Sequence, residues 1–184
     1  MSINQFNKAI LSAIIFSSLI PVSASSRNWN ETPQQAADDY AYISDRRGNH
    51  EFVTIKWRAA PTVNKDSPTY NILEQYVVIS VVHARFQPNG TASFDNISTL
   101  EARGADGKLL TLIPRDALPP TAAMLITYWE TQAHQTQGQA GSGTKFFVFD
   151  AGTVRACEKG ELFIPFDDET YTWKTPFPGC PESL

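Results

Sequence analysis

The chain has 184 residues, with 15 basic and 19 acidic side chains, 42% hydrophobic residues, 12 prolines and two cysteines. These values exclude a multi-domain machine, a collagen-like or coiled-coil fibre, a cysteine-stapled toxin and a four-ligand zinc finger. A formal charge of -4 also sets the chain apart from nucleic-acid binders, which need a basic face to neutralise phosphates.

The first 24 residues read as an address label. Lys8 gives a small positive start, and Ala9 to Ile20 form an apolar run of about a dozen residues, the length of a signal-peptide core. That run is too short for a bilayer, which needs roughly 20 residues. Pro21 breaks it, and Val22-Ser23-Ala24 offers compact residues to a signal peptidase, so cleavage is expected after Ala24. Residues 25–39 are polar and aperiodic and are expected to form a flexible leader, leaving 40–184 as a single β-rich domain. No integral membrane span is expected in the mature chain.

Export gives the cysteines a meaning. Cys157 and Cys180 allow one intramolecular pairing in an oxidising compartment, and their spacing is not that of a Cys-X-X-Cys redox motif. A structural disulfide pinning the proline-rich tail is expected.

Along the domain, Phe52 to Trp57 alternates with Val53, Ile55 and Trp57 on one face, which predicts a strand with one wet side. Ala59 to Pro68 is rich in turn formers. Tyr76 to Phe86 is apolar on both faces and predicts a central, covered strand. A turn at Pro88-Asn89-Gly90 leads into one or two weaker strands over 91–102, and Gly104 to Gly107 closes a hairpin onto Lys108 to Ile113. Ala122, Leu125, Ile126, Trp129 and Ala133 at helical spacing predict a helix over about 119–136, ended by Gly138. Strands follow at 146–149, 153–157, 162–166 and 170–174, joined by short turns, so the last third reads as an antiparallel meander. The expected fold is mostly β: an antiparallel β-sandwich or partly open barrel with one inserted α-helix.

The chemistry is thin. Gly138 to Gly143 has phosphate-loop glycine spacing, but Thr144-Lys145 reverses the required order and the segment runs from helix to strand. It reads as a flexible connector. Ser142 misses the G-x-S-x-G elbow, and His134 could reach it only if that connector folds back. His50, His83 and His134 show no metal-ligand spacing, and no cofactor is expected. His83 and Arg85 continue the face of Val77, Ile79 and Val81; they could bind an anionic ligand at a sheet rim or be satisfied by an acid across the sheet. Tyr171 and Trp173 share a face that is expected to be buried; if exposed instead, they could form a platform for sugar or peptide.

The function expected from these features is that of a non-enzymatic periplasmic or secreted domain with a protein or glycan partner outside the cytoplasm. The alternatives are a small hydrolase using Ser142 and His134, and a carbohydrate-binding sandwich using Tyr171 and Trp173.

Overall fold

The computed structural model describes residues 41–46, 50–177 and 180, so the expected signal peptide and leader lie outside the described residues. Two antiparallel sheets organise the domain. The larger runs β1 (Ala41–Arg46), β2 (Glu51–Arg58), β3 (Tyr76–Phe86) and β4 (Ala92–Phe94), with β6 (Lys145–Asp150) also paired to β3. The smaller consists of β5 (Arg103–Gly104), β7 (Gly160–Phe166) and β8 (Glu169–Thr175).

The 11-residue strand β3 is the hub, pairing with β2, β4 and β6. Its alternation explains why. Val77, Ile79 and Val81 point toward the small sheet and join Val53, Ile55, Trp57, Phe147, Phe149, Leu162, Ile164, Tyr171 and Trp173 in one core. Val78 points the other way and joins Ala60, Leu73, Ile126 and Val148 in a second. A strand covered on both faces requires apolar residues at consecutive positions, which is what β3 carries. Full burial of each such side chain contributes about 1.5–3 kcal/mol.

The second core is roofed by helices. Helix α1 (Pro68–Gln75) starts where Ser67 accepts a hydrogen bond from Thr69 N at 3.2 Å and Pro68 takes the first helical position. Helix α2 (Pro120–Gln137) is the expected inserted helix, and it buries Ala122, Ile126 and Ala133. A third, four-residue helix, α3 (Gln139–Ser142), follows at once. The β-rich sandwich with an inserted helix is present, two further helices accompany α2 among the described residues, and the described sheets do not close into a barrel.

Several local expectations are corrected. Residues 108–113 form isolated bridges, Arg103 to Leu109 and Leu112 to Phe149, in place of a strand, although the Gly104–Gly107 hairpin is closed by Gly107 N to Gly104 O at 2.9 Å. Residues 153–157 turn instead of extending, because the chain is changing sheets: β6 belongs to the large sheet and β7 to the small one. The last third is therefore a crossover followed by the β7–β8 hairpin. Within 91–102 only Ala92–Phe94 is strand. Cys157 and Cys180 form the expected disulfide.

Candidate functional site

Where β3 leaves its apolar stretch, the register sets Val53 opposite His83 and Glu51 opposite Arg85, and β4 brings Ser93 opposite Arg85. Asp95, just past β4, is held by its own N–H donating to His83 O at 3.0 Å. Its Oδ2 then becomes a node: His83 Nδ1 lies at 3.1 Å, Arg85 Nε at 3.1 Å and Arg85 Nη2 at 3.0 Å. Since a carboxylate oxygen can only accept, the His83 proton is assigned to Nδ1. The ring is 5% exposed, packs edge-on against Phe166, and keeps its buried Nε2 3.9 Å from Glu51 Oε2, beyond hydrogen-bond length. His83 and Arg85 are thus brought together, and both face acids of the same domain.

Tyr171 and Trp173 share a face, but it is the inner one: they are 5% and 2% exposed. Trp173 meets Trp57 at 6.3 Å between centroids and Tyr42 at 5.0 Å, while Tyr42 also packs on Tyr171 at 5.6 Å. Of the two readings open to this pair, the packing is that of burial, and it leaves no accessible ring face for the sugar that the carbohydrate-binding alternative requires. The Tyr42 hydroxyl donates to Thr172 O, tying the first strand to the last.

The Gly138–Gly143 segment is also corrected. It is not an open connector. Gly138, at φ +56°, turns the chain sharply, and α3 then lies so close to α2 that a Cβ on Gly141 would sit 1.8 Å from Ala133 O. One on Gly143 would sit 2.3 Å from the Phe94 ring. This fold-back brings Ser142 Oγ to 3.1 Å from His134 Nδ1. The same hydroxyl is also placed to donate to Gly138 O at 3.3 Å, so its single proton has two competing acceptors. Both side chains are exposed, and no carboxylate is bonded to His134 among the described residues.

Sequence reading misses two features. The first is the outer face of α2. Met124 and Tyr128, one turn apart, are 73% and 58% exposed. In this 18-residue helix Glu130 is the one Asp, Glu, Lys or Arg, and it is already engaged by Arg115 Nη2 at 3.0 Å. The helical spacing of the buried stripe was visible, whereas the absence of charge on the opposite face was the unused signal.

The second feature is Arg58. It continues the Thr54–Lys56 side of β2, which alternation assigns to water, yet α2 crosses above it. The guanidinium lies over the Trp129 ring at 5.7 Å and the Phe146 ring at 5.9 Å, and Nε donates to Ser80 Oγ at 3.3 Å. Burial pushes its pKa below the ordinary arginine value.

A cleft of about 70 Å³ beside Cys157, lined among others by Trp57, Glu74, Arg155 and Glu158, is far smaller than the roughly 300–1,000 Å³ of typical small-molecule sites. Among the described residues there is no group of three or more potential metal ligands, and no helix long and apolar enough to cross a membrane. No family model, curated protein or solved structure matches the chain.

Proposed function

We propose that the chain is an exported, disulfide-locked β-rich domain that binds a protein partner outside the cytoplasm through the outer face of α2. The observation that carries this reading is the pair Met124 and Tyr128, held in water at 73% and 58% exposure on a helix almost free of charge. A surface helix normally turns charged residues to solvent. Methionine and tyrosine are enriched where proteins meet, since one adapts its shape and the other offers a rigid ring with a polar tip. The Cys157–Cys180 bond supports an oxidising compartment.

The test compares wild type with M124D/Y128D. Neither side chain supports the core, so the unfolding free energy stays within about 0.5 kcal/mol of wild type. A partner cross-linked to wild type in envelope or culture-medium fractions should be lost from the double variant while retained by an R103Q control. Equal capture by all three proteins refutes the assignment of the face.

The 3.1 Å contact of Ser142 with His134 favours a second reading, a small hydrolase. A serine-directed fluorophosphonate settles it: labelling that disappears in S142A supports hydrolysis, and equal labelling in both proteins removes it.

A further inference from the structure

We infer that Arg58, positioned by Ser80 and backed by Trp129 and Phe146, is a receptor for a carboxylate group.

Charge balance comes first. Buried charges in proteins are nearly always paired, because removing a cation from water without a counter-ion is costly. Three arginines elsewhere follow the rule, Arg85 meeting Asp95, Arg103 meeting Glu101 and Arg115 meeting Glu130, each at 3.0 Å, while Arg155 is held by the carbonyls of Gly152 and Val154 at 2.9 Å. The three paired side chains are 43–53% exposed, so water already compensates part of their charge. Arg58, the part-buried one under α2, has no carboxylate within ion-pair distance among the described residues. Its compensation comes from one hydroxyl and two ring faces, and a cation over an aromatic ring recovers only about 0.5–2 kcal/mol.

The surroundings also orient the group. Ser80 is 6% exposed, and it occupies a position on β3 flanked on the same face by Val78 and Val82. Its hydroxyl donates to Lys56 O at 3.5 Å and accepts from Arg58 Nε at 3.3 Å. That bond uses the side edge of the guanidinium and leaves the end-on edge, Nη1 and Nη2, without an acceptor among the described residues. Trp129 and Phe146 stack on each other at 6.0 Å and occupy one side of the group. What remains is a flat pair of N–H donors with matched spacing, complementary to the two oxygens of a planar carboxylate. Part-burial makes such a pair stronger than one in open water. Ser80 is a positioning residue in this arrangement, and Arg58 is the one that touches the ligand.

This inference is independent of the α2 face, since Arg58 lies on the sheet beneath the helix. The experiment is a fluorescence titration of the full mature, oxidised protein with sodium acetate against sodium chloride at constant ionic strength, with Trp129 as the adjacent reporter. Wild type should show a saturable response to acetate. R58Q should weaken it at least tenfold, and R58K, which keeps the charge but loses the planar fork, should also weaken it. S80A, which leaves Arg58 in place but unoriented, should weaken it less than R58Q does. A short peptide with a free C-terminus is titrated beside its amidated form: tighter binding of the free form than of acetate identifies a peptide terminus as the source, and equal binding identifies a small organic acid. The same acetate response in wild type and R58Q overturns the proposal, as does sulfate binding more tightly than acetate. If R58Q does not fold, R58K and S80A decide the matter by the same criterion.

Discussion

Replacing Gly141 with alanine puts the fold-back of α3 to a test in which the sign of the result is decisive. Were the segment an open connector, alanine would restrict the unfolded chain and stabilise the protein by about 0.4–1 kcal/mol. In the packed arrangement, the new methyl would fall 1.8 Å from Ala133 O, 2.2 Å from Ala133 C and 2.8 Å from His134 N. These are backbone atoms of α2 and cannot swing aside as a side-chain tip could. Either α3 lifts away or α2 shifts, and overpacking of this kind costs about 1–3 kcal/mol. For a chain of this length that loss lowers the unfolding midpoint by roughly 2–4 °C per kcal/mol, so the expected fall is about 2–12 °C. G143A should behave similarly, because its φ of -79° already suits alanine and the obstacle is the Phe94 ring at 2.3 Å. Circular dichroism melts of wild type, G141A and G143A provide the comparison. An unchanged or raised midpoint in G141A refutes the packing of α3 against α2.

Three further outcomes are expected. F149A empties a site that is 0% exposed between the sheets and should cost about 3–5 kcal/mol in urea unfolding; a loss below 1 kcal/mol would mean the two sheets do not share that core. Removing the disulfide as C157A/C180A releases a loop of sequence separation 23 and should cost about 3 kcal/mol, read as a lower midpoint that reductant no longer affects. Asp106 is held below the usual carboxylate range by the Lys108 N–H at 3.0 Å, with the Lys108 side chain adding to the effect. Its folded pKa is depressed, so its contribution is present above the unfolded value and lost as pH falls through the folded one. D106N should therefore flatten the acid side of a stability-against-pH curve below about pH 4, and an unchanged curve would contradict the assignment.

What the sequence made legible was set by whether one strand or helix could announce its own surroundings. β3 did so, because apolar residues on both faces of an extended run admit only a covered strand. The inserted helix did so through its buried stripe. Tyr171 and Trp173 were assigned correctly to one face, but alternation alone does not say which face meets water; that depended on Trp57 and Tyr42, more than 100 positions earlier. Helix α1 was hidden because Ser67-Pro68 serves equally as a turn and as a helix start. For the glycine segment, the property that allows flexibility also allows close approach, and only the neighbouring Ala133 and Phe94 decide between them. The site residues divide likewise. His83 and Arg85 stood out as polar positions on an apolar face, whereas Arg58 looked like an ordinary wet-side cation until α2 was placed over it.

The bond from Tyr42 to Thr172 joins positions 130 apart, and it bears on how the molecule comes into being. A ribosome releases the large sheet's inner surface, with Val53, Ile55, Trp57 and Val77, long before β7 and β8 exist to cover it. Until β7 and β8 emerge, over Gly160 to Thr175, that surface has no lid and is prone to sticking to other chains. A nascent chain stalled shortly before residue 160 would be a hazard, and a late C-terminal truncation should fail as a whole molecule.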